Sequence, residues 1–142
     1  MVKTIVAILF LSFGLSQAPS SLNKKIDKLA KSVEKKVIDW RRDFHEHPEL
    51  SNREFKTAEK VAKHLRSLGM EVQTEVAHTG VVGILKGGKP GKVVALRADM
   101  DALPVKEKVD LPFASKAKGI YQGNEVDVMH ACGHYNHIAG LM

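Results

Sequence analysis

Apolar residues at Ile26, Leu29, Val33, Val37, Trp40 and Phe44 recur at intervals of three and four, which lines them along one face of a helix. Pro48 bounds that helix, because proline disfavours helical geometry in the residue before it. A second helix is expected from about Asn52. Ser51-Asn52-Arg53-Glu54 has the form of a capping box, in which the serine oxygen accepts a backbone N–H at the third helical position and the glutamate reaches back. Its expected buried side is Phe55, Ala58, Val61, Ala62, Leu65 and Leu68, and Gly69 stands where a left-handed residue closes a helix.

Past Gly69 the period shortens to two. Met70, Val72, Thr74 and Val76 alternate with Glu71, Gln73 and Glu75, the pattern of a strand with one face covered. "GVVGILKG" from Gly80 predicts a second strand, "GGKPG" (Gly87 to Gly91) a turn, and "KVVALRAD" (Lys92 to Asp99) a third strand of the continuously apolar, central kind. Val105 to Asp127 reads as loop with one or two short strands. The order of elements predicts an α/β domain with helices packed on a mixed sheet.

Composition agrees with a folded domain: 142 residues, 44% apolar and 27% charged, which excludes disordered and fibrous classes. The first stretch differs in kind. Lys3 precedes an apolar run from Ile5 to Leu15, and Ser16-Gln17-Ala18 places small residues where a signal peptidase cuts. Met1 to Ala18 is therefore expected to be a removable signal peptide, with residues 19–142 as the mature part and a secreted or periplasmic location. The alternative, a buried or membrane helix, is disfavoured because a span needs roughly 18 to 20 apolar residues. No stable membrane anchor is expected.

The formal net charge is +6, or +5 once Lys3 is removed. Lysines and arginines crowd Lys24 to Arg42, interleaved with the apolar stripe, and a solvated basic face opposite a buried one accounts for them. No aromatic stacking platform accompanies the charge, so no nucleic-acid partner is expected. The single cysteine, Cys132, cannot form an internal disulfide; in an exported chain it is free, paired with another molecule, or a metal ligand.

Two stretches carry chemistry. "RADMDALP" puts Asp99 and Asp101 at the carboxyl end of the most apolar strand, where open α/β sheets place ligand-binding groups. Residues two apart on an extended chain point the same way, and two such carboxylates invite a cation between them. The competing account makes them turn-forming residues before Pro104. "MHACGHYNHIAG" alternates His130, Cys132 and His134, with His137 one helical turn on if a helix starts near Gly133. Thiolate and imidazole are the donors that zinc and similar divalent metals take, and a nearby cation keeps the thiol deprotonated. Ordinary surface histidines are the alternative.

"WRRDFHEHPELSNREFKTAEKVAKHLRSLG", "VVALRADMDALPV" and "MHACGHYNHIAGLM" together resemble segments of the amidohydrolase branch of the aminoacylase/carboxypeptidase metallopeptidases, which includes hippurate hydrolase, N-acyl-amino-acid amidohydrolases and auxin-conjugate hydrolases. The resemblance runs from about Ile26 to the end. It implies a zinc-exopeptidase-like catalytic domain, of which this chain is the truncated N-terminal portion. It further implies two divalent metals per full-length site, zinc or manganese, and a small-molecule amide substrate; a homo-oligomeric full-length form is left open. Cys132 and His134 resemble the family's first two metal ligands. Asp101, the candidate catalytic-site residue, resembles the aspartate that orients such ligands, and Asp99 stands where other branches have a histidine ligand.

Two departures qualify what the resemblance implies. The family segment reads His-Ala-Cys-Gly-His-Asp, and here Tyr135 stands at the aspartate position; a phenol is bulkier and uncharged at neutral pH. The family's general-base glutamate, bridging carboxylate and remaining histidine ligands lie downstream of Met142. The expected function is metal-dependent hydrolysis of N-acyl amino acids or related small amides in the full-length protein, with this portion inactive alone and leaving apolar surface and a sheet edge open. The rivals are a non-catalytic remnant binding metal weakly through Cys132, His134 and His137, and an exopeptidase of the same superfamily, against which "HACGH" argues.

Overall fold

The computed structural model describes residues 20–142, so the expected signal peptide lies outside the described residues. The chain divides into two compact units, residues 1–32 and 33–142. Helix α1 spans Ser20–Glu46. In the described part of the first unit, Ile26 and Leu29 on this helix are 52% and 56% exposed. The buried stripe expected from the sequence is therefore realised only in the second unit, at the end of α1, where Phe44 is 1% exposed.

Helix α2 spans Phe55–Ser67, three residues later than the capping box predicts. Ser51 does not cap it. Instead Glu49 accepts the backbone N–H groups of Lys56 (3.2 Å) and Thr57 (2.8 Å), neutralising the exposed donors of the first turn from outside the helix. That leaves Glu54 free for other work: its carboxylate is buried and accepts from the Asn52 amide at 3.0 Å and the Thr79 hydroxyl at 2.7 Å. Of the predicted buried side, Ala58 and Ala62 are buried, whereas Phe55 and Leu68 are both 56% exposed.

Gly69 closes α2 as the sequence predicts. It adopts φ +77°, its N–H bonds to Arg66 at 2.9 Å, and the Met70 N–H bonds to Leu65 at 3.3 Å, the paired bonds of a left-handed helix terminus. A Cβ at this position would meet no atom within 4 Å, so only backbone strain opposes substitution. Gly69→Ala is accordingly expected to cost about 1 kcal/mol, read as a lower urea midpoint at unchanged slope.

Strands β1 (Glu71–Val76) and β2 (Gly80–Ile84) pair antiparallel, with Glu71 opposite Ile84 and a register shift between Gln73 and Val76. The connecting turn puts Ala77 and His78 at positive φ, an uncommon conformation for residues other than glycine. Its side chains are tied down: His78 bonds through Nε2 to the Asn52 carbonyl at 3.0 Å, and the Thr79 hydroxyl donates to Glu54. Helix α2 packs on this hairpin, so closely that a Cβ at Gly83 would lie 2.9 Å from a Leu65 methyl.

The predicted third strand, Lys92 to Asp99, does not form. Those residues belong to no strand, and Val93, Val94 and Leu96 are 97%, 80% and 75% exposed. A central strand is stabilised by neighbours on both edges and layers on both faces, and among the described residues nothing pairs with this one. Strands β3 (Lys118–Tyr121) and β4 (Asn124–Asp127) form a second antiparallel pair, within the stretch expected to hold one or two short strands. The α/β expectation thus takes the form of helices with two small two-stranded sheets.

Leu50, Ala102 and Val128 make the core beneath the chemistry, with Ala117 and Val126 packed against them. Two bridges align the backbones there: Leu50 parallel to Ala102, and Leu103 antiparallel to Met129 with N–H···O bonds of 3.0 Å in both directions. The Ala102 N–H also donates to the Glu49 carbonyl at 2.8 Å. Asp101 immediately precedes the anchored Ala102, and His130 immediately follows the anchored Met129. No described helix is long and apolar enough to cross a membrane.

Candidate metal centre

Helix α3 (His134–Leu141) starts one residue after Gly133, which holds φ +81° and lets the chain turn from the Met129 bridge into the helix. This puts His134 in the first helical turn, where its imidazole meets Asp101. The ring Nδ1 lies 2.9 Å from the Asp101 carboxylate oxygen Oδ1 and 3.1 Å from its main-chain carbonyl. Both are acceptors, so Nδ1 carries the proton and, in the neutral ring, Nε2 keeps its lone pair for a cation. His137 follows one turn on, its ring centroid 5.7 Å from that of His134.

Cys132 is exposed and unbridged. His130 does not join it, although alternation on an extended chain would put the two on one side. The Ala131 N–H bonds back to the Met129 carbonyl at 2.9 Å, bending the chain at His130, and the imidazole is buried with 4% exposure while the thiol faces out. Burial, together with the neighbouring His45 and His134, lowers the His130 pKa to about 4, with Asp101 acting in the opposite and smaller sense. His130 is therefore neutral at neutral pH, and neither ring nitrogen has a hydrogen-bond partner. Asp99, the other predicted carboxylate, is not drawn to His134; it pairs with Arg97 at 2.5 Å.

Sequence reasoning missed a buried pair beside these groups. His45 Nε2 lies 2.7 Å from Glu107 Oε2, with side chains 10% and 7% exposed. The only local sign is that His45 shares the last turn of α1 with Phe44; Glu107 comes from a stretch without periodicity. Tyr135 packs edge-on against His45, with ring centroids 5.0 Å apart.

The donors suit a borderline divalent cation in kind, an exposed thiol and an imidazole whose Nδ1–H is held by a carboxylate, leaving Nε2 free. They supply part of a ligand set. Among the described residues no group of three or more His, Cys, Asp or Glu side chains is placed to hold one ion.

Comparison with known proteins gives the segment its context. The model of peptidase family M20/M25/M40 matches residues 95–142, which contain Asp99, Asp101, Cys132 and His134. Thermostable carboxypeptidase 1 of Saccharolobus solfataricus is 51% identical over 85% of this chain and 29% of its own length. The N-acyl-L-amino acid amidohydrolase of Geobacillus stearothermophilus is 46% identical over 84% of this chain and 30% of its own length. The chain thus spans about three-tenths of these curated relatives. A crystal structure from Bacillus subtilis, described as a dinuclear metal-binding peptidase of the M20 family, superposes with a TM-score of 0.66 at 43% identity, covering 77% of this chain and 29% of that one. Residues 95–142 thus match peptidase family M20/M25/M40 in sequence, and the described chain is similar in fold to a solved member of that family.

Proposed function

We propose that the chain forms the N-terminal part of a divalent-metal-dependent hydrolase of N-acyl amino acids or related small amides, with Cys132 and His134 as metal ligands and Asp101 as the residue that orients His134. The observation that carries this is the hydrogen bond from His134 Nδ1–H to the Asp101 carboxylate at 2.9 Å, backed by the Asp101 carbonyl at 3.1 Å. It fixes tautomer and ring direction and leaves Nε2 free to ligate. The names of the amidohydrolase and of the dinuclear peptidase support the substrate class and two metals per complete site, zinc or manganese by donor type. Bound there, such a cation acidifies water and polarises the scissile carbonyl. The exposed Cys132 thiol contributes negative charge once ionised, and the Asp101–His134 pair holds its imidazole without needing to reorganise. The leader-like stretch Met1 to Ala18 supports export, to a secreted or periplasmic location.

Elemental analysis of the purified protein after zinc or manganese loading, paired with release of amino acid from N-acyl substrates, tests the reading. Cys132→Ala and His134→Ala are expected to lose the ion. Asp101→Asn is expected to weaken its binding by about 10–100-fold, since the main-chain carbonyl still holds the ring. Equal metal content in Cys132→Ala and the parent protein overturns the ligand assignment.

A further inference from the structure

The sequence accounts for the lysines of α1 as the solvated side of a helix whose apolar side is buried, and over the first turns the second half of that account fails. Leu22, Ile26, Leu29 and Val33, spaced four, three and four residues apart, form one stripe. Each is about half exposed to solvent. A continuous exposed row of long apolar side chains marks a surface that is covered in use. Around it, residues 20–37 carry six lysines, Lys24, Lys25, Lys28, Lys31, Lys35 and Lys36, against the two carboxylates of Asp27 and Glu34, an excess of four positive charges. All six lysines are exposed.

The charges are not spread evenly. At 3.6 residues per turn, Lys25, Lys28 and Lys36 fall along one flank of the stripe, and Asp27 and Glu34 along the other. Lys25 stands one turn from both Leu22 and Leu29, and Lys36 one turn from Val33, so their methylene stems can lie along the apolar row while the ammonium groups extend past it. An apolar row edged with cations fits a surface that is oily beneath and anionic above. An anionic bilayer has that cross-section, headgroup phosphates over acyl chains, and a basic amphipathic helix lies flat in it. A second copy of the chain fits less well, because it brings the same excess of positive charge against itself. Position along the chain agrees. The stretch Met1 to Ala18, expected to direct export across a membrane, ends just before α1 starts at Ser20.

We propose that the first half of α1 is a peripheral membrane-binding helix: Leu22, Ile26, Leu29 and Val33 enter the headgroup boundary of an anionic bilayer, and the lysines pair with its phosphates. The attachment is reversible, since four side chains at the interface bury far less than a spanning helix does. It is independent of the hydrolase reading, which rests on the other end of the chain.

The test is flotation of the full chain with vesicles of phosphatidylcholine alone and of phosphatidylcholine mixed with an equal part of phosphatidylglycerol, with sedimentation velocity on the same protein without lipid. The parent is expected to bind the anionic vesicles at least about tenfold more tightly than the neutral ones, and to come off as salt screens the phosphates. Ile26→Glu combined with Leu29→Glu should weaken that binding at least about tenfold, as should Lys24→Gln, Lys25→Gln, Lys28→Gln and Lys31→Gln together. These side chains are exposed, so both variants should keep the circular dichroism and urea midpoint of the parent. Equal flotation of the parent and both variants assigns the attachment to Met1 to Ala18 and overturns the proposal. Equal binding of the parent to the two kinds of vesicle overturns it as well. If nothing floats and the chain sediments as a dimer that the Ile26→Glu, Leu29→Glu variant dissolves, a second copy covers the stripe and the proposal falls. It falls equally if nothing floats and the chain stays monomeric.

Discussion

Phe44→Ala is expected to lower the unfolding free energy by about 3–5 kcal/mol, the range for truncating a fully buried aromatic side chain. Phe44 is the largest side chain in the core at 1% exposure, and most of its fellow core residues are small: Ala58, Ala62, Ala102 and Ala139. A close-packed interior relaxes only partly around the space that a phenyl ring vacates. The ring also lies under the Lys60 ammonium, 5.2 Å from its centroid, a contact that alanine cannot make. Urea unfolding followed by circular dichroism measures the loss. A change under 1 kcal/mol would mean that the end of α1 is not part of the cooperative core. Phe44→Leu, which keeps most of the apolar volume, should recover the larger share.

Glu107→Ala is expected to cost about 3 kcal/mol, because it strips a buried imidazole of its one partner. The pair joins residues 62 apart in sequence at 2.7 Å, and the second nitrogen of His45 is already unbonded. Without Glu107 both ring nitrogens would be buried and unsatisfied. Glu107→Gln keeps an oxygen at the same distance and should retain most of the stability at neutral pH. If the alanine and glutamine variants unfold at the same urea concentration as the parent, water reaches His45 and the pair is not the tie that its burial implies.

The parts of this fold that could be read from the sequence are those set by neighbours in the chain. Period 3.6 gave the two helices, period 2 the β1–β2 hairpin, and Gly69 its left-handed terminus, all local effects of backbone geometry. The parts that could not be read depend on residues far apart. Ser51 has the right spacing to cap α2, but Glu49 reaches the first-turn amides instead, and Glu54 turns to Thr79. An apolar run such as Val93 to Leu96 states what those side chains require, not whether a neighbouring strand is at hand to provide it. At the candidate metal centre, the alternation of His130 with Cys132 fails at a single bend, the Ala131 to Met129 bond. The meeting of Asp101 with His134 depends on the Leu50–Ala102 and Leu103–Met129 bridges, which no periodicity announces; only the resemblance to the amidohydrolases pointed to it.

Glu49 acts on both sides of that arrangement at once, its carboxylate holding the first turn of α2 and its carbonyl holding the Ala102 amide. The peptide beside Asp101 is therefore mechanically coupled to the front of α2. A displacement of that helix would pull on the imidazole-orienting carboxylate through two hydrogen bonds, without passing through the cysteine loop.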